Sequence, residues 1–253
     1  MNSQAVYAYQ VWDVPTRLFH WTNAISVAVL IALGLAIYFS GALSIGNDGK
    51  VLLKTAHVWV GYLFLANLAW RLVWAFAGNR YARWRALLPW GHGYPSAVAG
   101  YLRALASGRP RPFVGHNPLG RLAVTLLLVL LLVQAASGLV LAGTDIFYPP
   151  FGHWIASWIA APGVAPGDLV PYRPELVDAA AQAEMRALRA PVIATHEWGF
   201  YLLATLIVLH VVAVVITEVR EGGTLITAMV TGRKVFTEPA EDDVDPRSPR
   251  REP

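Results

Sequence analysis

The sequence contains no cysteine at all. That excludes disulfides, zinc–thiolate sites, iron–sulfur clusters held by this chain and haem attached through a C-x-x-C-H motif. Charge is the second shortage. Asp, Glu, Lys and Arg make up 14% of the residues, against roughly 25% in soluble domains. With 56% hydrophobic residues and a mean hydropathy of +0.46, a soluble globular enzyme is a poor fit. Methionine is scarce too, at three. The metal-ligating residues that remain are seven histidines. The net charge of +4 matters less than where the charges fall, and nothing in it points to nucleic acid.

Four stretches are long and apolar enough to cross a bilayer, which takes about 20 residues. They run over about 18–39, 55–76, 122–141 and 195–217. The expected fold is an all-α membrane protein, a four-transmembrane-helix bundle with short amphipathic helices in its loops. Residues 1–237 would form the bundle domain. Residues 77–119 hold six arginines and no acid: Arg80, Arg83, Arg85, Arg103, Arg109 and Arg111. Residues 143–194 hold five acids and three arginines. The positive-inside rule places the arginine-rich loop in the cytoplasm, with both termini. The connection over 143–194 then faces outward, into the periplasm of a bacterial inner membrane. Short helices are expected in it, one interfacial within IFYPPFGHWIASWIAAPG and one from Pro174. Another is expected in the inner loop over 96–106. Residues 238–253, rich in Pro, Asp, Glu and Arg, read as a disordered cytoplasmic tail.

Ionisable residues inside membrane spans are costly, and are functional candidates by default. His196 and His210 lie fourteen residues apart on the fourth span, about 3.9 helical turns and about 21 Å. They share a face but sit at opposite depths. His20, on the first span, matches the depth of His210. His57, on the second, matches that of His196. Facing imidazoles at two levels are what two six-coordinate haems require, and such haems move electrons. Gly34, Gly61 and Gly199 fall at the outer level and would leave room for a porphyrin edge, although packed membrane helices use glycine too. Arg71 and Arg17 are placed to pair with haem propionates, or to snorkel to the headgroups. His92, His116 and His153 match no partner in depth.

The stretches VWDVPTRLFHW, RLVWAFAGNRYARW, GHNPLGR, HEWGFY and TLITAMVTGRKVF, spread over Val11 to Phe236, carry a family likeness. The chain resembles the four-helix b-type cytochromes that include bacterial cytochrome b561 and the cytochrome b subunits of nickel–iron hydrogenases. It is more distantly similar to the gamma subunit of respiratory formate dehydrogenase. The resemblance implies two b haems, His20 paired with His210 and His57 with His196. It implies a periplasmic electron donor or acceptor and quinone as the membrane substrate. It maps a quinone pocket onto Asn117, Gly120 and the nearby His116, where a turn capping the third span is the alternative. Glu218, Glu221 and His116 are candidate proton carriers. The outer connection departs from the hydrogenase pattern by the addition of about Gly163 to Pro191. The rival readings are a stand-alone quinol oxidoreductase, a haem-free proton or metal transporter, and a structural anchor for a periplasmic enzyme.

Overall fold

A computed structural model describes residues 6–108, 111–221 and 225–242, the side chains of Arg220 and Glu221 excepted. The chain is mostly helical. In order it forms β1 (Tyr7–Gln10), α1 (Val14–Tyr38), α2 (Asn47–Ala77), α3 (Trp84–Leu87), α4 (Tyr94–Ala106) and α5 (Pro118–Ile146). There follow α6 (Gly152–Ile159), α7 (Ala179–Glu221), α8 (Leu225–Thr231) and β2 (Arg233–Phe236). Four of these helices, α1, α2, α5 and α7, are long and apolar enough to cross a membrane.

Each of the four is longer than the apolar stretch that announces it. The largest difference is at α7, whose 43 residues extend about 64 Å, twice the ~30 Å hydrocarbon thickness. The separate helix expected from Pro174 does not form. A short 3-10 turn covers Pro174–Leu176. Asp178 then caps α7, its Oδ1 accepting from Ala181 N at 2.8 Å, and the helix continues through Pro191. Proline removes one helical donor, and Thr195 Oγ1 donates to Pro191 O at 2.8 Å. The residues read as an added outer loop are therefore in part the first turns of the fourth span. The inner-loop helix is α4, and the interfacial one is α6, with Trp154 exposed.

The chain divides into two compact units. One comprises Met1–Trp21, Ala69–Val129 and Ala204–Pro253. A small antiparallel sheet, absent from the sequence reading, closes it: Tyr7 pairs with Phe236 and Gln10 with Arg233. Tyr9, Val11, Trp12, Tyr81, Val114, Ala228, Phe236 and Ala240 form its core. Lys234 is buried and donates to the carbonyls of Phe113 and Gly115 at 3.0 and 3.1 Å. Asp242 accepts from Val114 N and Gly115 N at 2.6 and 2.9 Å. The tail expected to be disordered from 238 is thus packed as far as Asp242, because its acid supplies the acceptor these backbone donors need. Residues 243–253 lie outside the described residues.

Asp13 ties this unit together. Its carboxylate caps α1 through Thr16 N at 3.0 Å and accepts from Trp74 Nε1 and Asn79 N at 3.0 and 3.2 Å. Burial pushes its pKa up, but these bonds outweigh it and hold the carboxyl below its usual range. Its contribution is present above pH 3.8 and is lost as pH falls through the lower folded value. Asp13→Ala removes a cap and strands two donors, so thermal unfolding in detergent should show a loss of about 2 kcal/mol or more.

The other unit comprises Thr22–Leu68 and Leu130–Leu203. Ala156 and Ile159 of α6 pack with Leu169 and with Met185 of α7. Asp145 of α5 binds Lys54 of α2 at 2.8 Å and also Arg189 of α7. These contacts hold the first turns of α7 to the ends of two other spans.

Candidate haem-binding residues

His57 on α2 and His196 on α7 face one another. Their ring centroids are 6.5 Å apart, with planes inclined at 70°. Ligand nitrogens about 2 Å from a metal on either side bring two imidazole centres to roughly this spacing. A cavity of about 280 Å³ opens beside them, lined by Gly34, Gly61, Gly138 and apolar side chains. A Cβ at Gly34 would stand 3.5 Å from His57 Cε1, and one at Gly138 would stand 3.5 Å from His196 Cε1. A Cβ at Gly61 would meet nothing within 4 Å. Gly34 and Gly138 thus lie within van der Waals reach of the two rings, and Gly61 faces open space. Gly199 does not line the cavity. A Cβ there would stand 2.5 Å from Gln134 Nε2, so this glycine serves helix packing.

His20 and His210 form the second constellation, in the other unit, and lie near enough to act on one another electrostatically. Arg71 and Arg17 belong to the same unit. Arg71 is buried, donates to Ala82 O at 3.1 Å, and lies 5.8 Å from the Phe19 ring. Its Nη1 has no partner among the described residues. Arg17 donates through Nη1 to Val230 O, and its buried Nε is likewise unpaired among the described residues. Unpaired buried guanidinium N–H groups suit an anionic ligand group such as a carboxylate. The residues present therefore fit haem in both units, through paired imidazoles and a cavity in one, and through paired imidazoles and unpaired arginine donors in the other.

His116 packs against Trp12, with centroids 4.9 Å apart and planes inclined at 48°. One edge remains partly exposed, but Nδ1 is buried without a partner among the described residues. Burial, then the charges of Lys234, Arg71, His210 and Arg121, push its pKa down to about 3. The unfolded chain takes up this proton below about 6.5. Stability should accordingly fall as pH drops from about 6.5 toward 3, and His116→Gln should flatten that slope in acid unfolding curves.

Asn117 caps α5. Its Oδ1 accepts from Gly120 N at 2.7 Å, and its Nδ2 donates to Tyr101 Oη at 2.8 Å. Glu218 is similarly engaged, accepting from Leu225 N and Ile226 N at the start of α8. The Glu221 side chain lies outside the described residues. Sequence reasoning passed over Gln134, Ser137 and Gly138 on α5. Their signal was present, as the polar and small residues that interrupt the most continuous apolar run.

The family model described as prokaryotic cytochrome b561 matches residues 11–232. A probable Ni/Fe-hydrogenase B-type cytochrome subunit from Cupriavidus necator is 25% identical over 93% of this chain and 90% of its own length. The corresponding protein from Azotobacter vinelandii is 27% identical over 94% and 92%. A probable Ni/Fe-hydrogenase 1 B-type cytochrome subunit from Escherichia coli is 30% identical over 49% and 55%. No solved structure matches the chain. The match across nearly all of the chain, together with four helices long and apolar enough to cross a membrane, makes this chain a multi-pass membrane protein of the prokaryotic cytochrome b561 family.

Proposed function

We propose that this b-type cytochrome carries electrons across the bacterial inner membrane between a redox protein on the periplasmic side and quinone, using two haem b groups. The observation that carries the reading is the pairing of His57 with His196 across a glycine-lined cavity. His20 with His210 supplies the second pair. Bound haem supplies one-electron chemistry between ferric and ferrous iron.

The chain's own residues determine the rest. Two histidines would hold each haem and leave no open iron position for oxygen, which would favour electron transfer over oxygen chemistry. Arg71 and Arg17 would neutralise propionates through the N–H groups that nothing else occupies. Of the three residues proposed near quinone, Asn117 and Gly120 form a helix cap. His116 has a ring nitrogen to spare. Because β1 and β2 pair, the two described ends lie together. With the arginine-rich loop, this supports both termini being cytoplasmic.

The hydrogenase names of the relatives support a hydrogenase-type donor. Electrons moving inward from it work against the membrane potential, by ~2.3 kcal/mol per charge at 100 mV, and so build it.

The reading is tested by a reduced-minus-oxidised visible spectrum and a haem count on detergent-purified protein. Two low-spin b haems per chain are expected. A colourless protein from haem-replete cells would overturn the reading and favour the transporter.

A further inference from the structure

Span α5 contributes no histidine, yet it engages His196 at three points. Ser137 Oγ lies 2.8 Å from His196 Nδ1. Gln134 Nε2 donates to the His196 carbonyl at 2.9 Å. Gly138 leaves the ring edge room at Cε1. Gly199 belongs to the same arrangement, since any side chain there would displace the Gln134 amide from that carbonyl. All of these residues belong to one unit.

The direction of the serine–histidine bond follows from proton bookkeeping. A hydroxyl has one proton to give and lone pairs to accept with. Ser137 Oγ lies 2.7 Å from Val133 O, where it donates. Its lone pair is then left for His196, and Nδ1 must carry the hydrogen. Neutral imidazole has a single N–H, so Nε2 keeps its lone pair for a metal. The result is a chain of donors running from His196 Nδ1–H to Ser137 Oγ–H to Val133 O. A partner at the second nitrogen orients a ligating imidazole and raises its basicity. His57 and His20 differ, for the Nδ1 of each is buried with no partner among the described residues.

We propose that Ser137 is a positioning residue. It holds His196 as the Nδ1–H tautomer and thereby lowers the reduction potential of the haem shared by His57 and His196, while Gln134 fixes the position of the ligand's backbone. This rests on the di-haem reading above. A more basic ligand favours ferric over ferrous iron, which gives the sign.

The test is a redox titration of purified full-length protein, following both haem components optically and by low-spin electron paramagnetic resonance. The wild type is measured first. Failure to find two bis-histidine signals there would overturn the di-haem reading itself, and this proposal with it. With both signals present, Ser137→Ala is expected to raise one midpoint and alter one resonance, leaving the other component in place. Ser137→Thr keeps the hydroxyl and is expected to restore both readouts. Selective loss of one haem in Ser137→Ala, with retention in Ser137→Thr, also supports the proposal. It is overturned by unchanged midpoints, by equal movement of both components, or by Ser137→Thr behaving like Ser137→Ala.

Discussion

With two haems held as proposed above, His57→Ala should leave the protein with one, and His210→Ala should remove the other. Each substitution would remove one of the two imidazoles proposed to hold that haem and open a space that water can enter, so the low-spin signal of that haem should be lost. The two variants should therefore give complementary spectra, each retaining the component the other lacks. On that reading, either one should abolish electron transfer to quinone, because a relay of two haems would fail on the loss of either. Haem quantification by pyridine haemochrome, with the residual low-spin signal, checks the outcome. A variant that kept both haems would show that the histidine concerned is a packing residue. His196→Ala is expected to match His57→Ala, and His20→Ala to match His210→Ala, since ligands of one iron fail together.

Gly152→Ala should disrupt the segment around α6 more severely than any other single methyl addition described. A Cβ on Gly152 would stand 2.0 Å from the carbonyl oxygen of Phe147 and 2.1 Å from its carbonyl carbon. Those are backbone atoms, so no side-chain rotation relieves the overlap. Phe147 already adopts a positive φ of 59°, and the reversal is fastened by Tyr148 N to Ala142 O and Gly152 N to Tyr148 O. The cost should reach or exceed ~3 kcal/mol, the upper part of the range for overpacking. It would detach α6 from Leu169 and Met185 and free the start of α7. The expected result is a lower thermal midpoint and faster proteolysis within residues 147–178. Gly143→Ala, which meets the Cβ of Phe151 at 2.9 Å, should give the same pattern more weakly.

The four spans were readable because lipid imposes one simple demand, about 20 apolar residues in a row. Hydropathy reports that demand and little else. It could not show that the helix read from Pro174 runs without a break into the fourth span, because Pro191 reads as a helix end in the sequence while the structure carries one helix, capped by Asp178, straight through it. The histidines were readable because charge is scarce in such segments and the helical period converts sequence spacing into depth. Of the glycines, Gly34 and Gly61 do line the cavity, whereas Gly199 packs on Gln134 and Gly138 takes the place expected for it. Depth along one helix says nothing about which neighbour a face meets, so the contribution of α5 stayed hidden. The β1–β2 pair was beyond reach for a related reason. Four-residue strands more than 200 positions apart carry no periodic signal that links them.

That pairing also imposes an order on biosynthesis. Tyr7–Gln10 leaves the ribosome before any of the four spans, and its partner Arg233–Phe236 after all of them. The amino-terminal strand must wait, unpaired, while all four spans are inserted. Only then can Lys234 and Asp242 reach the carbonyls and amides of residues 113–115. Contacts of such long sequence separation form late. The clasp thus acts as a completion mark: a chain whose translation stops before Arg233 keeps an open strand edge, a surface that quality-control proteases and chaperones are suited to recognise.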